Sequence, residues 1–353
     1  MEDRTHVVFT RMDLSDDYSR HMAATMTSVM KNCSTPVTFH VIHEERISFR
    51  NAHAAENNMY KYHELVESYP KCEIRYYNAH IPEIFYNNQK PEYSKIPTLI
   101  LYRFLIQDLL PQDINRIISL GSDVIVNCDL YALINSIPNN YSLAGVIDQG
   151  FDTFVKHRGV KSFYKKIGFT PEKYINIDIT IMNLDKLRST NILPEKAFEF
   201  IYKYPSVPMW EQDILNYLFQ GDIYILPPRY NIIASFGEEH IDDILEKENE
   251  SDYILHYAGP NKPWDEYNGK YDMEYWYYLS MTPWGNDDRI YDYMSTVFTS
   301  PDAVIHNMSR WICHYHSYWD VVNTLWKITV PLSYKLAKLY LNYVRKAHNL
   351  IHK

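Results

Sequence analysis

Between Val7 and Leu120 the chain alternates short β-branched, apolar runs with longer stretches of helical spacing, and this alternation restricts the fold more than any other feature. Val7 to Thr10 reads as a buried strand. Ser19 to Asn32 reads as a helix that ends near Cys33-Ser34-Thr35-Pro36. Val37 to Ile42 is the second strand, Arg50 to Tyr69 a helix, and Glu73 to Tyr77 the third strand. Leu99 to Leu110 has helical spacing and stops at Pro111, and Arg116 to Leu120 is the fourth strand. Strands alternating with helices predict an α/β domain with a mainly parallel sheet and helices on both faces. Ligands of such sheets bind at the carboxyl ends of the strands, which directs attention to the loop after Leu120. The rhythm fades near Asp265, so the expected parts are 1–265, a helical extension over 266–320 and a tail over 321–353.

Composition excludes several classes. The hydrophobic content of 46% supports a globular core, and the net charge of -9 argues against a nucleic-acid binder. Cys33, Cys72, Cys128 and Cys313 form no CxxC pair, so reduced thiols are expected rather than a zinc site or a disulfide framework. The start MEDRTHVVFT has no apolar core of a signal peptide, and no apolar run reaches membrane-spanning length. A cytoplasmic location is the expectation. The 32 tyrosines fit either a sugar-handling surface or an aromatic core. The tail carries no acid after Asp320. Leu332, Leu336, Leu339, Tyr343 and Leu350 would share one helix face, with Lys335, Lys338 and Arg345 on the other. That pattern suits an anionic membrane surface, here the inner face of the cytoplasmic membrane, or equally a helix packed on its own domain with a solvated basic face.

Three segments carry chemistry. The run from Ile117 to Leu130 delivers Asp123 into a loop from an apolar strand, where a carboxylate can hold a hard divalent cation or merely cap a turn. The run Tyr253 to Trp264 ends a strand in His256, followed by Gly259 and Lys262. Imidazole can join a carboxylate on a metal, glycine lets backbone approach a phosphate, and lysine supplies a point charge. The run Met209 to Phe219 places Glu211, Gln212 and Asp213 at a helix N-terminus, where acids favour the dipole but a glutamine is not required.

These segments, in this order, resemble the family 8 retaining glycosyltransferases with the GT-A fold, and in particular the bacterial lipopolysaccharide glucosyl- and galactosyltransferases. The resemblance runs from about Val7 to Trp264 and is densest over His256-Tyr-Ala-Gly-Pro-Asn-Lys-Pro-Trp264. It includes Tyr102 to Ile106, Leu109-Leu110-Pro111, Asn176 to Leu184, and Glu211 to Asn216, with Thr282-Pro283-Trp284 resembling the lipopolysaccharide enzymes' C-terminal extension. It implies that Asp123 and His256 bind Mn²⁺ (or Mg²⁺), and that Gly259 and Lys262 contact the diphosphate of a UDP-sugar. It implies that Arg103 and Asp148 touch the donor, that Ser122 lies beside it, and that Asn176 lines the sugar pocket. Gln212 would lie beneath the anomeric carbon, and Thr10, Asp17 and Tyr18 would edge the uridine. The implied partners are the donor and a glycan or glycolipid acceptor.

The chain departs from the family pattern in three places. The first carboxylate of Asp-x-Asp is missing from Gly121-Ser122-Asp123, a short insertion lies between Phe9 and Tyr18, and Asn-Ala-Gly is replaced by Asn176-Ile177-Asp178. Gln212 is a poor nucleophile, which favours front-face attack by an acceptor hydroxyl. Asp213 or Asp178 as a nucleophile is the rival, and a catalytically silent sugar-nucleotide binder or scaffold is the competing function.

Overall fold

The computed structural model describes residues 3–285 except 12, 87–90, 95 and 266–268. The remainder of the expected extension and the whole amphipathic tail, 286–353, lie outside the described residues. The chain divides into two compact units, one formed by 1–233 with 243–256 and the other by 234–242 with 257–353.

In the first unit the strands are β1 (Thr5–Thr10), β2 (Val37–His43), β3 (Glu73–Asn78), β4 (Arg116–Leu120), β5 (Val124–Asn127), β6 (Leu143–Ile147), β7 (Ile175–Asn183), β8 (Ile223–Ile225), β9 (Ile232–Ile233) and β10 (Tyr253–His256). Seven of them form one sheet in the order β3-β2-β1-β4-β7-β6-β8, and β5-β10-β9 form a second. β1, β2, β3 and β4 are parallel neighbours, as are β6 and β8. β7 alone in the large sheet opposes its neighbours. The sheet is therefore mainly parallel, as the alternation predicts. β2 is buried along its whole length, the pattern of a strand covered on both sides. The core gathers Ile42, Phe104, Ile117, Met182, Leu215 and their neighbours around the sheet.

Two helices differ from their sequence reading. The helix expected from Arg50 begins at Ala52, because the Asn51 side chain accepts the Ala54 N–H at 3.3 Å and caps it there. The stretch Leu99 to Leu110 is not one helix. Short α-turns at Leu99–Tyr102 and Ile106–Leu109 flank a 3₁₀ turn at Arg103–Leu105. The tighter turn goes with an anchored side chain, since the Arg103 guanidinium donates to the Ile177 carbonyl of β7.

β7 sets up the site. It pairs with β4 so that Leu120 faces Ile179, and the next residue, Gly121, donates its N–H to the Asp178 carbonyl at 2.8 Å. Against β6 the register slips between Gly145 and Ile147, which pair with Thr180 and Ile175. Residues 176–179 are thereby released from regular pairing on that side. A bulge of this kind turns side chains out of the strand's strict alternation.

The second unit, by itself, contains the helix Asp272–Ser280. Its indole Trp276 N–H donates to the Pro263 carbonyl at 2.8 Å, and Lys270 pairs with Asp242 at 2.6 Å. Many of the tyrosines prove to be core. Tyr62, Tyr102, Tyr174, Tyr257 and Tyr275 are fully buried, and the hydroxyls of Tyr62 and Tyr102 reach Ser19 O and Glu44. Among the described residues no helix is long and apolar enough to cross a membrane.

Candidate active site

The carboxyl end of β4, the bulged start of β7 and the end of β10 bring three ionisable side chains together. His256 is 1% exposed, and its Nε2 lies 3.7 Å from Asp123 Oδ1 and 3.5 Å from Asp178 Oδ2. Its Nδ1 is 3.0 Å from Asn231 Oδ1. An amide oxygen only accepts, so Nδ1 is the donor there and Nε2 is the ring nitrogen left to face the carboxylates or an ion. Orienting one ring nitrogen so that the other can bind is how proteins prepare histidine for a metal. Atoms sharing one hard cation at about 2.1–2.6 Å sit roughly 3–4 Å apart, so the observed separations suit a common ion. Among the described residues no group of three or more His, Cys, Asp and Glu side chains is arranged so as to hold a metal ion as it stands. The charge and donor types nevertheless fit a divalent cation, and the Asp178 side chain is 43% exposed.

Beside this ionic cluster runs a network of amides. Asp148 Oδ2 accepts from Asn176 Nδ2 at 3.1 Å and from Gln212 Nε2 at 3.0 Å, while Oδ1 accepts the Gly150 N–H at 2.8 Å. Asn176 Oδ1 accepts from Asn231 Nδ2 and from the Asp178 N–H, both at 3.1 Å. Gln212 Oε1 accepts the buried Ile177 N–H at 3.3 Å. Asn216, one turn along the helix Trp210–Leu218, brackets Ile175 by accepting from its N–H and donating to its carbonyl. Arg103 ties the two groups together. It is buried, bonds the Ile177 carbonyl, and approaches Asp178 Oδ1 at 3.4 Å.

The three neighbours Glu211, Gln212 and Asp213 have separate fates. Asp213 is fully buried and accepts from Tyr164 and Tyr174 hydroxyls at 2.5 and 2.6 Å and from the Met209 N–H at 2.9 Å. Burial raises its carboxyl above the usual range, against the pull of those donors. It points into the aromatic cluster of Val160, Tyr164, Phe169 and Tyr174, which disfavours it as a nucleophile. Glu211 is half-buried as a residue, and desolvation pushes its carboxyl up to about 7, with Arg103 opposing and Asp178 adding to the rise.

The remaining predicted positions are placed as follows. Thr10 ends β1, partly exposed. Asp17 is exposed in the following loop and pairs with Arg20 at 2.9 Å, and Tyr18 lies 5.7 Å beneath the Arg11 guanidinium. Ser122 offers its carbonyl to the Thr25 hydroxyl at 3.2 Å. Gly259 and Lys262 belong to the second unit. Gly259 has φ +86°, a conformation glycine adopts freely, and Lys262 Nζ donates to the Tyr257 carbonyl at 2.5 Å. Asn231 and Gln149, which grips Asn231 O at 2.8 Å, carry no signal in the sequence, and Asn216 enters it only as the end of the matched Glu211–Asn216 segment, with no role assigned. A cavity of about 1420 Å³ opens at the opposite strand ends, between Arg4, His6, Arg116 and Lys186, and shares none of the site residues.

Comparison with known proteins bears on the family and the fold. A protein of Haemophilus influenzae with a provisional glycosyltransferase name is 27% identical over 253 residues, 70% of each chain. The Escherichia coli lipopolysaccharide 1,2-glucosyltransferase is 26% identical over 53% of this chain and 55% of its own length. The Salmonella typhimurium lipopolysaccharide 1,3-galactosyltransferase is 24% identical over 52% and 55%. The match thus spans little more than half of the two lipopolysaccharide enzymes. Among solved structures, the galactosyltransferase LgtC in complex with donor and acceptor sugar analogues superposes with a TM-score of 0.59 at 23% identity, covering 79% of this chain and 96% of that one. The apo bifunctional glycosyltransferase WbbM gives 0.61 at 18% identity, over 82% and 51%. At these identities the two structures speak to the fold, a GT-A fold. Residues 9–268 match the family model described as glycosyl transferase family 8. With most of its length inside that match, the chain belongs to glycosyltransferase family 8.

Proposed function

We propose that the chain is a retaining hexosyltransferase that moves glucose or galactose from a UDP-sugar to a hydroxyl of a surface-polysaccharide or lipid-linked glycan. The observation that carries this reading is the convergence of Asp123, Asp178 and His256 beside the Gln212–Asp148–Asn176 network. The names of the lipopolysaccharide glucosyl- and galactosyltransferases support the choice of sugar and acceptor.

Asp123 and His256 would hold Mn²⁺ or Mg²⁺, which supplies positive charge to the departing diphosphate. Lys262 would add a second positive charge, with Gly259 admitting the phosphate to the backbone. Arg103, Ser122, Thr10, Asp17 and Tyr18 would position the donor. Asp148 and Asn176 would receive the sugar hydroxyls, because Asp148 retains acceptor capacity beyond its amide donors. As the glycosidic bond breaks, the sugar becomes oxocarbenium-like. The Gln212 carbonyl oxygen has one lone pair on the Ile177 N–H and a second with which to face that positive charge. The acceptor hydroxyl would attack from the face the diphosphate leaves and pass its proton to the leaving oxygen. The basic tail would dock the enzyme on an anionic membrane surface at the inner face of the cytoplasmic membrane, and binding to anionic liposomes would fall on truncation near Asp320. A catalytically silent, sugar-nucleotide-binding relative is the second reading, favoured by Gly121 where a carboxylate is expected.

Incubation with a panel of UDP-sugars, with and without Mn²⁺, separates the two. UDP release that depends on one sugar and rises with Mn²⁺ is the expected result. Binding without release selects the silent reading, and neither binding nor release rejects both.

A further inference from the structure

The missing carboxylate at Gly121 has a structural counterpart. Gly121 stands directly across from Asp178 in the β4–β7 ladder, tied to it by the 2.8 Å bond from its N–H to the Asp178 carbonyl. A Cβ built on Gly121 would lie 3.6 Å from Asp178 Cβ and only 2.9 Å from Asp123 Oδ1. A side chain at 121 would thus press on the movable end of Asp123 and stand in ordinary contact with Asp178 and Val124, beside the same two carboxylates. From these facts we infer that Asp178 is a ligand of the divalent cation and supplies, from the opposite strand, the carboxylate that position 121 lacks. The inference rests on the metal reading proposed above and adds a residue to it.

The two oxygens of Asp178 are divided in a way that suits this role. Oδ1 turns toward Arg103, 3.4 Å away, and Oδ2 turns toward His256 Nε2, 3.5 Å away. The guanidinium fixes one edge of the carboxylate and leaves the other edge facing the same nitrogen that Asp123 faces. The irregular register of β7 against β6 aids this placement, since residues 176–179 are not held in regular pairing there. The backbone N–H of Asp178 is itself held by Asn176 Oδ1 at 3.1 Å, which fixes the strand beneath the side chain. Two carboxylates and one neutral imidazole make a hard, anionic donor set for Mn²⁺ or Mg²⁺, with water completing the shell.

The test is Mn²⁺ binding by the full chain in the presence of UDP, followed as loss of the free Mn²⁺ electron paramagnetic resonance signal. Wild type is expected to bind, and Asp178→Asn, which keeps size and shape, to bind about tenfold or more weakly because one anionic ligand is gone. The double variant Gly121→Asp/Asp178→Ala is expected to recover most of that loss by returning the carboxylate to the other strand. Thermal unfolding of each variant confirms that it is folded, and the double variant guards against a local defect in Asp178→Asn. Asp178→Asn binding within about twofold of wild type overturns the inference while leaving the metal reading in place. A double variant no better than Asp178→Ala alone overturns the exchange between strands. Wild type that binds no Mn²⁺ removes the metal reading itself, and this inference with it.

Discussion

The ionic cluster and the amide network meet at Asn176 and Asn231 yet are built on opposite terms. His256 Nε2 stands 3.7 Å from Asp123 and 3.5 Å from Asp178, longer than an ordinary hydrogen bond, and the Asp178 side chain is 43% exposed. The amides of Asn176, Gln212, Asn216 and Asn231 are buried and bonded at 2.8–3.3 Å. The first region gathers two carboxylates and an imidazole at loose range and suits an incoming cation. The second is fixed by its own hydrogen bonds and suits a rigid, polar surface. Response to metal is therefore expected to be lost at the first, and stability to fall along with sugar handling at the second.

The largest effect tests the first half of that contrast. His256→Ala should lower turnover with the preferred donor by roughly 10²–10³-fold and abolish stimulation by Mn²⁺. Undiminished, metal-stimulated turnover in that variant would break the comparison. Next is the joint between the regions. Asn231→Ala leaves the His256 Nδ1–H without its acceptor and removes one of the two donors to Asn176 Oδ1, at a cost of about 2 kcal/mol in urea unfolding. It should also weaken Mn²⁺ binding by about 10–100-fold through loss of ring orientation. A change in stability alone would show that the two regions are independent.

Glu211 sits between them and gives a pH signature. Its folded pKa is raised from 4.5 to about 7, mainly by desolvation. The folded protein holds this proton more tightly than the unfolded chain does, so stability falls as pH rises from about 4.5 to 7. Glu211→Gln should remove that decline, matching wild type at pH 4 and exceeding it by roughly 1 kcal/mol at pH 8, after allowance for solvent screening. Melting curves that stay parallel across the range would discard the assignment. The smallest effect is Tyr164→Phe, which removes one of two hydroxyls on Asp213 and should cost about 1 kcal/mol with turnover unchanged. Lost turnover there would extend the working site into the aromatic cluster.

The parts of this architecture that sequence reveals are those written in local pattern. The helix Ser19–Asn32 and the strand Arg116–Leu120 fall where spacing and terminators put them. Asp123 follows the apolar strand Arg116–Leu120 and His256 ends the strand Tyr253–His256, and the resemblance to the family picked out both. What local pattern omits is pairing across distance. Nothing near Asp178 announces that it lies opposite Gly121, and nothing near Asn231 announces His256. The broken helix at Arg103 is similar, since its cause is a carbonyl 74 residues away.

The hydrogen-bond chain from His256 to Asp148 has a single polarity. His256 donates to Asn231, Asn231 to Asn176, and Asn176 to Asp148, where Gln212 also donates. Reversing any amide would set donor against donor or acceptor against acceptor. One carboxylate therefore sets the facing of every group upstream, down to which imidazole nitrogen is turned toward Asp123 and Asp178. An Asp148→Asn exchange, though nearly identical in shape, would set an NH₂ group either against the Gly150 N–H or against the Asn176 and Gln212 donors.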